Sequence, residues 1–208
     1  MRKERVSENV IKRLPKYYRC LKELEDSGEK KVSSTTISEM LGFTASQVRQ
    51  DLSNFGGFGQ QGYGYDVGYL KQNINYILGL DKPHNMVILG GGRIGQALAN
   101  YTGFDVEGFH VLAVFDVQTA HISVRDGVQV LPISALADFL KNNAVEIAVI
   151  ATQKESAEEV AAKAVDLGVR SLWNFAPVDL SFGEDVAVEN INMSESLYML
   201  AYKNKNLL

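Results

Sequence analysis

Cysteine is almost missing from this chain. Cys20 is the only one in 208 residues, so no internal disulfide can form and the framework of a small secreted domain is excluded. On a helix of the periodicity described below, Cys20 reads as a small core residue. Histidine is nearly as scarce: His84, His110 and His121 are scattered without zinc-ligand spacing, and no metal is assigned. Long apolar runs are also absent, since the stretches at 111–115 and 147–151 fall far short of the roughly 18 residues that read as a membrane span. The opening MRKERVSENV mixes both signs of charge and has no apolar centre, so it does not read as a secretory signal and the expected location is the cytoplasm. What is present is enough for a packed core: hydrophobic residues make up 46% and charged residues 22%, which argues against disorder, collagen and coiled-coil rods.

Charge is unevenly divided along the chain. Residues 1–80 hold 12 Lys and Arg against 9 Asp and Glu, whereas residues 81–208 hold 9 against 16, within a net charge of −4. A basic module that meets a polyanion, followed by an acidic module with another task, accounts for this asymmetry.

From Val6 to Leu24 apolar residues recur at helical spacing (Val10, Leu14, Tyr17, Leu21, Leu24), which predicts one or two packed helices with Pro15 at a bend or first turn and Gly28 past the end. In VSSTTISEMLGFTASQVRQDLSNFGG, Ser34 or Thr36 can cap a short helix ending at Gly42, and Thr44 opens a second. The three- or four-residue turn between them has helix-turn-helix spacing. Ala45, Val48 and Leu52 take the inner side of the second helix. Ser46, Gln47, Arg49, Gln50 and Ser53 are left outward, where short polar groups suit base edges and Arg49 suits guanine or phosphate. The glycine-rich GGFGQQGYGY that follows predicts two short strands turning at Gln60-Gln61-Gly62, a wing, and Gln60 and Gln61 complete the candidate DNA-binding residues. Helical periodicity returns over 70–80 and ends at Asp81-Lys82-Pro83, a domain boundary.

After Asn85, strands rich in Val, Ile and Leu alternate with helical stretches, which predicts a parallel sheet covered on both faces, a doubly wound α/β domain. Directly after the strand MVIL comes GGGRIG. Gly90 permits the tight turn, Gly92 lets the backbone approach a pyrophosphate, Gly95 lets helix pack on strand, and the helix N-terminus offers N–H groups to an anion. Asp116 closes the next strand 21 residues after Gly95, where a carboxylate can accept hydrogen bonds from an adenosine ribose. A 2′-phosphate would meet like charge there, so NAD⁺ and NADH are favoured over their 2′-phosphorylated forms. The whole run Gly90, Gly91, Gly92, Arg93, Ile94 and Gly95, with Asp116 and with Thr152 at the end of EIAVIAT, is assigned to the cofactor.

Hydride-transfer enzymes add a proton donor or acceptor and a substrate pocket, and neither is visible. Tyr18 and Lys22 have a Tyr-x-x-x-Lys spacing but precede the nucleotide fold, so no catalytic residue is assigned. An NAD-dependent oxidoreductase stays open as an alternative, as does a DNA-binding protein whose α/β domain takes coenzyme A or another nucleotide. The terminal segment 194–208, with six apolar residues in succession from Leu197 to Tyr202, predicts a helix that another surface must cover.

The motifs SSTTISEMLG, TASQVRQDL, FGQQGYGY, LGGGRIGQAL, the strand end FD, and NFAP followed by VAVENIN together resemble the Rex family of redox-sensing transcriptional repressors over almost the whole chain. The resemblance implies a winged-helix DNA-binding domain at 1–80, a Rossmann domain at 84–190 and a helix at 191–208 exchanged between the subunits of a homodimer. It also implies repression from palindromic operators that are released when NADH binds, with the nicotinamide near Tyr101, Asn174, Phe175 and Ala176. Three departures stand out. Gln60 and Gln61 replace basic wing residues, and Gln50 replaces a usual Lys. Uncharged amides release fewer counterions, so a lower or less salt-dependent affinity for DNA is expected. Asn192 stands where some members have an Asp that engages residues matching Tyr101 and Arg19.

Overall fold

The computed structural model describes residues 6–56, 59–60 and 63–207. The first apolar stripe forms two helices, α1 (Glu8–Ile11) and α2 (Leu14–Asp26), and all five expected positions, Val10, Leu14, Tyr17, Leu21 and Leu24, are buried. Pro15 stands in the first turn of α2, where its missing N–H leaves no helical bond unmade. Cys20 is buried, its Sγ 3.6 Å from Met40 Sδ, and desolvation pushes its thiol pKa up, as expected of a core residue.

Helices α3 (Ser34–Leu41) and α4 (Ala45–Ser53) form the helix-turn-helix. The cap of α3 differs from the expected Ser34 or Thr36. Ser33 is extended and its hydroxyl accepts the Thr36 N–H at 2.9 Å, so Thr36 is the residue being capped. Gly42 ends α3 at φ +70°, a left-handed conformation that suits glycine. Thr44 caps α4 as expected, accepting the Gln47 N–H at 3.2 Å.

A wing follows: β2 (Gly59–Gln60) pairs antiparallel with β3 (Gly64–Asp66). The expected turn begins at Gln60, which stands in β2; Gln61 and Gly62 lie outside the described residues. The sequence reading missed β1 (Lys31–Val32), which pairs with the other edge of β3 to give the order β1-β3-β2. This third strand needs Gly64: at φ +73°, a Cβ there would lie 2.6 Å from the Val32 carbonyl oxygen. Helix α5 (Val67–Ile77), capped by Asp66, completes this unit, which spans Met1–Lys82.

The second unit, Pro83–Leu208, is built on six parallel strands. They are β4 (His84–Leu89), β5 (Phe109–Asp116), β6 (Gln129–Pro132), β7 (Ile147–Ile150), β8 (Ser171–Asn174) and β9 (Ala187–Asn190), in the order β6-β5-β4-β7-β8-β9. This is the doubly wound order, whose reversal point lies between β4 and β7, where such sheets place their ligands. Val87 and Leu89 pack into one apolar cluster and Met86 and Ile88 into another, so the sheet is covered on both faces. Helices α6 (Arg93–Asn100), α7 (Gly103–Val106), α8 (Leu136–Asn142, after one 3₁₀ turn) and α9 (Lys154–Asp166) make the crossovers. The chain ends in α10 (Met193–Lys205), which buries none of its residues; Leu197, Tyr198, Met199, Leu200 and Tyr202 are all exposed.

Candidate nucleotide site and nucleic-acid interface

The glycine loop lies at the reversal point of the sheet. Gly90 leaves β4 at φ +110°, and a Cβ on it would come within 2.5 Å of the Ala151 carbonyl oxygen after β7. A Cβ on Gly95 would collide with the Gly90 carbonyl oxygen, so the third glycine is fixed by the closeness of α6 to the loop. Gly92 is different. It caps α6 and a Cβ there would meet nothing within 4 Å, which leaves the first turn open to a ligand, with Arg93 and Ile94 on its exposed side.

Asp116 is bound to this loop. Its Oδ2 accepts the Gly91 N–H at 2.6 Å and its Oδ1 accepts the Gln118 N–H at 2.9 Å. Each carboxylate oxygen has a second lone pair to offer a ribose hydroxyl. Gly90, Gly92, Asp116 and Thr152 line one cleft of about 340 Å³, with apolar walls from Val117 and Ile133. Thr152 Oγ1 is buried without a hydrogen-bond partner, a state that costs free energy unless a ligand or water supplies one. An open helix N-terminus, a carboxylate at the rim and an orphan hydroxyl fit the phosphate, ribose and polar groups of a dinucleotide.

Tyr101 and Phe175 are connected through two residues that sequence reasoning missed. Exposed Tyr101 packs edge-on against Phe104 (4.8 Å between centroids), Phe104 against Trp173 (5.7 Å), and Trp173 against Phe175 (4.6 Å). The lone tryptophan beside NFAP was the available signal. Ala176 is buried at the loop's base. Asn174, assigned to the cofactor with them, is tied into the protein's own hydrogen bonds. Its side chain is 1% exposed, Nδ2 donates to the Val178 carbonyl and to Asn190 Oδ1, and Oδ1 accepts the Ala176 N–H. Both amide donors are used inside the protein, so the side chain helps to shape the loop from Phe175 to Leu180. Asn192 caps α10, its Oδ1 accepting the Ser194 N–H.

On the other unit, Ser46, Arg49, Gln50 and Ser53 are exposed on α4 and Gln47 is half-buried. Arg49 donates to Ser34 Oγ at 2.9 Å at the start of α3, and Ser53 Oγ donates to the Gln50 carbonyl. Gln60 stands in the wing strand. A second omission of sequence reasoning lies behind this face: Asp51, 2% exposed, accepts two hydrogen bonds from Arg13 and one from Tyr17. Burial alone would raise the Asp51 carboxyl pKa, but the hydrogen bonds from Arg13 and Tyr17 outweigh it and hold the group below its ordinary value. No group of residues that could hold a metal ion occurs among the described residues, and no helix among them is long and apolar enough to cross a membrane.

Fold and site define a two-module protein, a winged helix-turn-helix followed by a Rossmann-type nucleotide fold. Residues 5–53 match a family model described as "Putative DNA-binding protein N-terminus", and residues 81–178 match one described as "CoA binding domain". A redox-sensing transcriptional repressor Rex from Clostridioides difficile (strain 630) is 49% identical over 201 residues, covering 96% of each chain. A Rex from Clostridium botulinum (strain Eklund 17B / Type B) is 50% identical over 200 residues, covering 95% of each. The chain belongs to the Rex family of redox-sensing transcriptional repressors. Among solved structures, it is similar to RSP in complex with β-NAD⁺ and operator DNA, with a TM-score of 0.90 and 44% identity over 97% of this chain and 93% of that one. RSP in complex with β-NADH is similar at a TM-score of 0.88 and 41% identity, over 97% of this chain and 95% of that one.

Proposed function

We propose that this protein is a transcriptional repressor that binds palindromic operator DNA and releases it when NADH binds, so that it reads the ratio of NADH to NAD⁺. The observation that carries the reading is the Asp116 carboxylate held against the Gly91 N–H beside the open N-terminus of α6. It sits in a chain whose other unit presents the polar face of α4 next to a wing. Relatives named for redox sensing, and RSP structures with operator DNA and with NADH, support the same reading.

In this reading residues 1–80 bind DNA through Ser46, Gln47, Arg49, Gln50, Ser53, Gln60 and Gln61. Residues 84–190 bind the dinucleotide through the loop from Gly90 to Gly95, Asp116 and Thr152, with Tyr101, Asn174, Phe175 and Ala176 on the nicotinamide side. Asn174 also holds the segment from Phe175 to Leu180. Residues 191–208 clasp a second copy, because α10 exposes apolar side chains on every face and a two-fold operator requires a two-fold protein. The nucleotide is a signal and not a hydride source, a reading supported by relatives that are named as repressors. The protein works in the cytoplasm, where a bacterial operator is found.

Coenzyme A is the second reading, favoured by the family model matched at 81–178. Asp116 opposes it: the ribose of coenzyme A bears a 3′-phosphate, which would meet the carboxylate as a like charge. The test is titration of a labelled palindromic operator complex with NADH, NAD⁺ and coenzyme A. Release is expected with NADH alone, and retention of DNA at saturating NADH would overturn the reading.

A further inference from the structure

We infer that Arg13 is a positioning residue for the DNA-reading helix, acting through Asp51 and not through a phosphate. This rests on the assignment of α4 as the reader. Arg13 opens α2 at the break after α1 and borders the same groove as Gln47, Gln50, Ser53 and Asn54. An arginine at the edge of a reading face is ordinarily counted as a phosphate contact. Here its guanidinium is already engaged. Nε donates to Asp51 Oδ2 at 2.6 Å and a terminal nitrogen to Oδ1 at 2.8 Å, the two-bond fork that fixes a carboxylate in plane and direction.

One turn later Tyr17 donates to Asp51 Oδ2 at 2.7 Å, and its ring packs edge-on against Phe43 at 5.7 Å between centroids. Phe43 belongs to the turn that leads into α4, and Asp51 lies in the last turn of α4. Residues of α2 thus hold the reading helix near both of its ends. A fork neutralised by its own carboxylate presents little net charge to DNA, and the side-chain exposure of 3% at Asp51 keeps that pair intact in water. The three bonds set which way the outward face of α4 points.

The two roles separate experimentally. Arg13→Lys keeps a cation, which serves a phosphate, but loses the fork, which serves Asp51. Operator and non-operator affinities would be measured by fluorescence anisotropy over a range of salt, at a temperature where circular dichroism finds each variant folded. NADH binding serves as the control for the other unit. Arg13→Lys and Arg13→Met are expected to lower operator affinity roughly five- to hundredfold, the worth of one base contact, and to narrow the operator to non-operator ratio. The slope of log affinity against log salt should stay that of the wild type. The pair Arg13→Met with Asp51→Leu, which leaves no unpaired buried charge, should recover much of the stability that Arg13→Met alone loses while its operator affinity stays low, because the bonds that orient α4 are still missing.

Wild-type affinity in Arg13→Lys, or a salt slope that falls by about 0.9 per contact removed in Arg13→Met, would make Arg13 a phosphate ligand and overturn the inference. Should Arg13→Met not fold, Tyr17→Phe carries the test, because it keeps the ion pair and removes one bond: a narrowed ratio supports the inference and an unchanged one overturns it. Undiminished operator affinity in Arg49→Ala would instead remove α4 as the reader, and the inference would fall with it.

Discussion

The side-chain amides of Asn174 and Asn190 meet at 2.8 Å, and between them they hold the loop from Phe175 to Leu180 in place. Asn174 reaches the Val178 carbonyl and the Ala176 N–H, while Asn190 accepts the Leu180 N–H and donates to the Leu180 carbonyl. Asn190 also ends β9, two residues before the cap of α10. The loop beside the proposed nicotinamide site and the root of the terminal helix are therefore fixed by the same pair.

Asn190→Ala should destabilise the protein by about 1–3 kcal/mol, because the Leu180 carbonyl and an Asn174 donor lose partners in a largely buried place. Thermal unfolding measures that. NADH affinity should fall with it, since the loop loses its anchor, while operator affinity in the absence of nucleotide should change little. A variant with wild-type melting and NADH affinity would show that the loop holds without the pair.

In the proposed function, cofactor choice rests on Asp116. Asp116→Ala should weaken NADH binding by about 1–3 kcal/mol, as expected for lost hydrogen bonds to a charged group. It should also narrow the preference over NADPH, because the like charge facing a 2′-phosphate disappears. Calorimetric titration with both nucleotides checks this; if the wild type binds NADPH as tightly as NADH, the role given to Asp116 is wrong.

How much of this was legible depended on the distance over which each feature acts. The glycine loop, Asp116 and the cap Thr44 were readable because their constraints are local: a turn, a helix start, a strand end. Ser33 was missed as the cap of α3 because Ser33, Ser34 and Thr36 all have capping hydroxyls and only the backbone chooses among them. The Arg13–Asp51 fork joins residues 38 apart, and the bond between Asn174 and Asn190 spans 16. No periodicity encodes such pairs. Strand β1 has two residues, too few to show alternation.

The depressed Asp51 carboxyl makes a statement about acid stability. A carboxyl whose pKa is lower folded than unfolded contributes stability that is fully present above the unfolded value, about 3.9, and is lost as pH falls through the folded value. The difference in unfolding free energy between wild type and Asp51→Asn should be constant from about pH 5 to 8 and shrink below about pH 4. Denaturant unfolding across that range tests it, and a difference that persists undiminished at pH 2 would contradict it.

Deleting residues 193–208 should yield monomers or aggregates. The deleted helix exposes Leu197, Tyr198, Met199, Leu200 and Tyr202, too much apolar surface to leave in water without a partner. Sedimentation of the truncated protein decides: a stable dimer with intact operator binding would remove α10 as the clasp.

The switch itself imposes the most demanding relation. NAD⁺ and NADH share every group that the loop from Gly90 to Gly95 and Asp116 can touch, so those residues cannot tell the two apart. The difference is a planar cationic ring against a neutral dihydro ring. Discrimination must then come from contacts to that ring, which the proposed function places beside Tyr101, Phe104, Trp173 and Phe175, a chain of aromatic rings where burial of an unpaired charge is costly. NADH should bind the tighter of the two. A ligand moves a two-state equilibrium only by its differential affinity, and a swing from 1:99 to 99:1 needs roughly a 10⁴-fold preference for one state. Binding free energies are reciprocal, so operator DNA must lower NADH affinity by the same factor by which NADH lowers operator affinity. NADH binding measured by fluorescence with and without saturating operator should differ by that factor, and identical affinities in the two conditions would rule out NADH as the releasing signal.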